Sequence, residues 1–292
     1  MSFRDTLLGL LVVFIWGTNF YFMKMALVQL SPLTMGFMRF FFLLFPTLFF
    51  LRRPPTSWRL LFYYSITIGF GQFALMFLAM KMGLASGLSS LLMQSQVFFT
   101  LVLVALVWGE RLNRRQWLAL MVGLGGLLTI GLGQFVGPQP LGALLVILGS
   151  ALAWALGNLL VKHIGPVNGL ALAVWGNVFT LLLFALTVPF SPGLDNFLRE
   201  IRGISAFTLL AVFFQSYASS LLGYGSWGYL LAKYPAKLVA PLALLVPVVG
   251  LAIGSLFLHE PLNGYHWLGI GLMILGLALH VFSVDRSGGG KG

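Results

Sequence analysis

Glu110-Arg-Leu-Asn-Arg-Arg-Gln-Trp117 and Glu260-Pro-Leu-Asn-Gly-Tyr-His-Trp267 are two versions of one eight-residue stretch, with glutamate, leucine, asparagine and tryptophan at the same four places. The copies stand 150 residues apart in a chain of 292. Upstream, a shift of 138 lays Trp16 on Trp154 and Lys24 on Lys162, and the missing twelve residues match one longer polar stretch around 190–205. The chain therefore reads as two related halves, 1–136 and 137–286, with a flexible Gly-rich tail at 287–292.

What surrounds the repeated stretch sets the class. The residues are 59% hydrophobic and only 8% charged, against about 25% charged in a soluble domain. Apolar blocks of about twenty residues, the length a helix needs to cross the hydrocarbon layer, alternate with short polar breaks. They predict an all-α integral membrane protein of ten transmembrane helices, at about 6–28, 32–51, 59–82, 85–108, 115–133, 140–162, 169–189, 206–231, 235–258 and 263–284. Arg4 and the apolar run behind it resemble a signal peptide, but Trp16, Asn19 and Lys24 interrupt the run and it reads as a retained first helix.

Five helices per half is an odd number, so the second half enters the membrane from the opposite side and the halves are inverted. Inverted repeats around a midplane site are typical of secondary transporters, because exchanging the shapes of the halves exchanges the side on which the site opens. With the N-terminus in the cytoplasm, Arg4, Arg52, Arg53, Arg59, Arg111, Arg114, Arg115, Lys162, Lys233, Lys237, Arg286 and Lys291 fall on that side; only Lys24, Lys81, Arg199 and Arg202 fall opposite. This bias predicts that both termini are cytoplasmic. It also accounts for the net charge of +11 without a nucleic-acid partner, since the basic residues are scattered between blocks.

Several stretches resemble the EamA-type branch of the drug/metabolite transporter superfamily: Trp16-Gly-Thr-Asn-Phe20 with Lys24, Arg39, Ala85-Ser-Gly-Leu-Ser-Ser90, Gly109-Glu-Arg-Leu112, Trp154 to Lys162, Pro241-Leu-Ala-Leu-Leu-Val-Pro247 and Glu260-Pro-Leu262. Within that branch the chain is similar to bacterial exporters of aromatic amino acids or of cysteine and O-acetylserine. The resemblance implies a multi-pass protein of the bacterial cytoplasmic membrane that moves neutral amino acids or similar metabolites outward, working as a monomer. The second half departs from the first, with Ala155 where Gly17 stands and Asn177 where Arg39 aligns.

Polar residues inside membrane helices are costly unless they face the bundle interior or an aqueous cavity. The candidate substrate-binding residues are accordingly Trp16, Asn19, Phe20, Arg39, Gln72, Met76, Gln94, Trp154, Asn158 and Gln215. Amides suit amino and carboxylate groups, and aromatic faces suit a side chain or a cation. Each has a bland counterpart as helix-to-helix glue. For Arg39 the choice lies between a carboxylate ligand and snorkelling to headgroups. Pro241 and Pro247, in the predicted ninth helix, each delete a backbone hydrogen bond and are candidate gating bends. Glu110 and Glu260, at helix-to-loop junctions, suit capping of the following helix or pairing with Arg, while Lys24 and Lys162 suit interfacial anchoring. Gly223, Gly225 and Gly228 spell G-x-G-x-x-G without a preceding strand, so close packing is expected there and at Gly83, Gly87, Gly250 and Gly254.

All six acidic residues lie in loops or at helix ends, so a carboxylate relay at the midplane is not expected. The chain has no cysteine, no Walker motif and no clustered His, Asp or Glu. Neither a metal, a cofactor nor an enzymatic activity is predicted. The competing readings are an uncoupled channel and an exporter of another small metabolite or a cationic drug.

Overall fold

The computed structural model describes residues 1–109, 113–136, 140–165, 167–234 and 236–284, and among them there are helices and turns but no strand. Glu110, residues 137–139 at the join of the halves, and the 287–292 tail lie outside the described residues. The helices are α1 (Phe3–Gln29), α2 (Pro32–Thr47), α3 (Trp58–Lys81), α4 (Ser86–Trp108), α5 (Arg114–Val136), α6 (Leu141–Ile164), α7 (Gly169–Thr187), α8 (Leu194–Arg202), α9 (Ala206–Lys233), α10 (Leu245–Leu258) and α11 (Gly264–Val284). Among the described residues seven helices are long and apolar enough to cross a membrane, and Pro32–Thr47 and Leu242–Leu258 are shorter apolar ones. Apolar side chains such as Leu11, Phe14, Leu128, Leu186 and Leu256 are exposed. Arg39, Gln72, Gln215 and Ser219 are instead buried, the reverse of a soluble fold.

Helix starts follow short polar side chains that accept from otherwise unpaired backbone N–H groups: Ser31 from Thr34, Ser57 from Leu60, Asn168 from Ala171 and Ser205 from Thr208. The duplicated asparagines do the same reciprocally. Asn113 Oδ1 accepts from Gln116 N and Gln116 Oε1 from Asn113 N, both at 2.9 Å, at the start of α5. Asn263 Oδ1 accepts from His266 N at 3.0 Å, and His266 Nδ1 accepts from Asn263 N at 3.2 Å, at the start of α11. Trp117 and Trp267 then stand half exposed, as tryptophans do at a membrane edge. Capping of α11, expected of Glu260, is thus performed by Asn263 three residues on, and Asn113 caps α5 in the same way.

Helix pairings give the bundle its shape. α1 packs on α10 and α9, α6 on α4 and α3, α2 on α7, α4 on α10, and α5 on α11. Glycines permit the closest of these: a Cβ at Gly126 would lie 2.8 Å from the Gly269 carbonyl, and one at Gly17 would lie 2.9 Å from the Val246 carbonyl. Gly87, Gly250 and Gly254 likewise have no room for a Cβ, whereas Gly83 ends α3 at φ +108° with only Pro140 near it. Of the G-x-G-x-x-G glycines only Gly223 is packed, against Trp16; Gly225 and Gly228 face open space.

Four features depart from the sequence reading. A nine-residue amphipathic helix, α8, occupies the segment expected to be a loop. α2 ends at Thr47, where Phe45 leaves helical geometry ahead of Pro46, because the ring of a proline disfavours helix in the residue before it. α3 and α9 each widen to a π-helix, over Ser65–Gly71 and Phe214–Gly223. Over the described part of the predicted ninth helix, 236–258, the α-helix is not continuous: Ala236–Val239 and a 3-10 segment, Ala240–Leu244, lead into α10. Pro241 is therefore the second residue of the 3-10 segment and Pro247 sits in the first turn of α10, where a missing N–H costs no hydrogen bond within that helix.

Candidate functional site

Two adjoining cavities lie inside the bundle. The central one, about 320 Å³, is walled by Trp16, Asn19, Phe20 and Met23 of α1, Arg39 of α2, Gln72, Phe73 and Met76 of α3, Ser90, Met93, Gln94 and Gln96 of α4, Trp154 of α6, and Ser219, Tyr224 and Trp227 of α9, with Ala243 and Val246 at the entry to α10. The second, about 220 Å³, extends toward the bundle end where α3 begins, α7 begins and α9 finishes, reaching Tyr64, Gly169, Leu170, Asn177 and Gly228. Arg39, Phe73, Trp154, Tyr224 and Trp227 belong to both walls. No acidic side chain is among the described residues lining either cavity.

Eight of the ten residues singled out from the sequence line the central cavity: Trp16, Asn19, Phe20, Arg39, Gln72, Met76, Gln94 and Trp154. The other two do not. Asn158 lies one turn beyond Trp154, and its Nδ2 donates to Gln96 Oε1 at 2.8 Å and Thr100 Oγ1 at 3.1 Å, tying α6 to α4. Gln215 is wholly buried. Its Oε1 accepts from Arg39 Nη1 at 3.3 Å while its Nε2 donates to the Ala211 carbonyl, so it supports the arginine from behind.

The aromatic wall is held in place. Trp16 Nε1 donates to the Ser219 carbonyl at 3.0 Å, and the Trp16 ring lies 5.6 Å from Tyr224 and 5.2 Å from Trp227, centroid to centroid. Such tilted contacts suit the ring quadrupoles and give a rigid apolar surface. Ser219, Tyr224 and Trp227 were visible as polar or aromatic positions of the eighth predicted helix. Phe73, Met93 and Gln96 had no such signal: α4 is interrupted by a turn at Met93 and Gln94, which brings Gln96 to the same wall as Gln94. Gln94 Nε2 donates to the Ala243 carbonyl at 3.3 Å, linking that turn to the 3-10 segment.

At the end of the bundle where α1 and α3 finish, charged side chains cap helix ends. Lys24 Nζ donates to the Met80 and Leu84 carbonyls at 2.9 Å each, and Lys81 Nζ returns the interaction to the Leu27 and Leu30 carbonyls. Glu260 accepts from the backbone N–H groups of Ser86 and Gly87 at the start of α4, the latter at 2.9 Å. Cations at helix C-termini and an anion at an N-terminus match the helix dipoles. Lys24 thus caps the end of α3, and Glu260 caps α4 and not the helix that follows it.

Among the described residues no group of three or more His, Asp or Glu side chains is arranged to hold a metal. The arrangement offers binding surfaces, not catalytic groups.

A family model described as the EamA-like transporter family matches residues 5–132 and again 141–282. A probable amino-acid metabolite efflux pump of Salmonella typhimurium is 38% identical over 287 residues, covering 97% of this chain and 96% of that protein. Its namesake in Escherichia coli is 36% identical over 290 residues, covering 97% of each. A solved crystal structure shares the fold at a TM-score of 0.56, with 16% identity over 97% of each chain. With the family model matching nearly all of it in two consecutive segments, this multi-pass helical membrane protein belongs to the EamA-like transporter family and is a transporter, not an enzyme.

Proposed function

We propose that the protein exports neutral amino acids and related small metabolites across a bacterial cytoplasmic membrane by alternating access. The observation that carries this reading is the central cavity, which draws its wall from both halves of the chain and adjoins a second chamber. A cavity of about 320 Å³ is at the small end of ligand sites, which run from about 300 Å³ upward, and suits a metabolite the size of an amino acid. The names of the two relatives that align end to end point to the same cargo.

The ten-helix, inverted arrangement belongs to this proposal, with halves at 1–136 and 137–286, both termini cytoplasmic and the monomer as the working unit. It is supported by helix pairings that reciprocate: α1 meets α10 and α9 as α6 meets α4 and α3. Trp16, Asn19, Phe20, Gln72, Met76, Gln94 and Trp154 form the binding wall, and Arg39 is its charged member. Asn158 and Gln215 serve as supports. The segment holding Pro241 and Pro247 is assigned the moving wall, because Ala243 and Val246 within it touch the cavity and a short 3-10 segment has fewer ladder hydrogen bonds to break.

Counterflow in proteoliposomes tests the proposal. Preloading with an unlabelled neutral amino acid should accelerate uptake of a labelled one, because a carrier returns faster when loaded. Uptake indifferent to preloading would indicate a pore, and indifference to the whole panel of aromatic, sulfur-containing and hydroxylated amino acids would remove the cargo assignment.

A further inference from the structure

Arg39 is buried to 2% exposure at the junction of the two chambers. Its contacts are neutral: Nη1 donates to Gln215 Oε1 at 3.3 Å, Nη2 donates to Ser220 Oγ at 3.2 Å, and the guanidinium carbon lies 4.2 Å from the centre of the Phe73 ring. Its Nε has no hydrogen-bond partner in the structure. The carboxylates described elsewhere are engaged or remote: Asp5 pairs with Lys233 at 2.9 Å, Glu200 accepts from Ser31, Glu260 caps α4, and Asp195 lies in α8.

Removing a guanidinium from water without an anion is expensive, and hydrogen bonds to neutral groups recover only part of the cost. Snorkelling is not the answer, because the side chain points into the protein and not toward a helix end. The same charge repels any cation that enters either chamber, since Coulomb energy rises as the dielectric falls. A carboxylate is the complementary group, and its two oxygens match the planar fork of a guanidinium.

We propose that the carboxylate of the cargo is the counter-ion of Arg39, so that an anionic group, and not an amine, defines the substrate class, and organic cations are excluded. This rests on the two chambers being the transport path. As the charged residue among the five common to both walls, Arg39 holds the carboxylate while the rest of the cargo passes from one chamber to the other. A zwitterionic amino acid qualifies through its carboxylate; its ammonium is an addition met by the neutral amides of Asn19 and Gln72, whose Oδ1 and Oε1 likewise lack partners.

The test compares three solutes with one side-chain skeleton: L-leucine, 4-methylpentanoate, which lacks the amine, and 3-methylbutylamine, which lacks the carboxylate. Binding to the purified full-length protein is followed by tryptophan emission, to which Trp16, Trp154 and Trp227 of the cavity wall contribute. The two carboxylates are expected to bind within about tenfold of each other and the amine about a hundredfold more weakly. Arg39→Gln should weaken both carboxylates by about tenfold or more, with partial recovery in Arg39→Lys. Equal binding of the amine, no binding of either carboxylate, or an Arg39→Gln protein that keeps wild-type affinity for them would overturn the proposal. Should Arg39→Gln fail to fold, the three-solute comparison on the wild type still decides. Counterflow that proceeds without regard to the carboxylate defeats this inference alone, whereas carboxylate-selective binding without counterflow defeats only the transport reading.

Discussion

The two ends of the bundle carry related residues in different surroundings. Where α1 and α3 finish, Lys24, Lys81 and Glu260 lock four helix ends together through backbone groups. At the opposite end Lys162, the counterpart of Lys24, is exposed and carries its ammonium 4.5 Å from the Trp108 ring. Beside it a chamber reaches Gly169, Leu170 and Gly228. The comparison teaches that a lysine eight residues after a tryptophan does not fix its own role. Lys24 is half-buried and reaches helix carbonyls, whereas Lys162 is exposed and lies over an indole face.

The comparison is open to attack at four places. Glu260→Ala strips the start of α4 of two charge-assisted bonds, and we expect the largest loss, about 3 kcal/mol, read as a lower midpoint of thermal unfolding in detergent. Lys24→Met should cost about 2 kcal/mol by the same measure and Lys162→Met, whose side chain is exposed, less than about 1 kcal/mol; equal losses would mean that burial does not set the worth of the two lysines. Gly228→Trp fills the second chamber, where a Cβ meets nothing within 4 Å. It should slow counterflow about tenfold, worth about 1.4 kcal/mol, with the unfolding midpoint unchanged, and undiminished transport would show that the chamber is not on the path. Asn158→Ala should have the smallest effect, about 1 kcal/mol of stability through the α4 to α6 tie. Its substrate affinity should stay within about threefold, in contrast to Asn19→Ala in the cavity wall.

Most of the fold was legible because hydrocarbon thickness dictates helix length and because Ser31, Ser57, Asn168 and Ser205 mark where helices start. α8 is legible too, since Leu194, Phe197, Leu198 and Ile201 share one helical face, although the polar residues between them resemble a loop. The cavity wall was readable where a polar or aromatic residue recurs on a helix that faces the bundle axis, as with Trp16, Asn19, Phe20 and Met23. Asn158 misled because spacing reports a face and not the neighbour that the face meets. Gln215 misled for another reason. It falls in a π-helical turn, where four residues no longer return to the same face, so Ser219 reaches the cavity and Gln215 turns to Arg39. The caps by Lys24 and Glu260 were beyond reach, since their partners are backbone groups some 56 to 174 residues away in sequence.

The widened turns at Ser65–Gly71 and Phe214–Gly223 also bear on ancestry. Moving the first by the same 150 residues that superpose the opening stretches brings it inside the second. A π-turn inside an α-helix amounts to one added residue, and two independent additions have little reason to land at matching places in helices that share so little sequence. If the halves descend from one gene, that residue was gained before the gene was duplicated, and the single-half ancestor already wound its third helix this way.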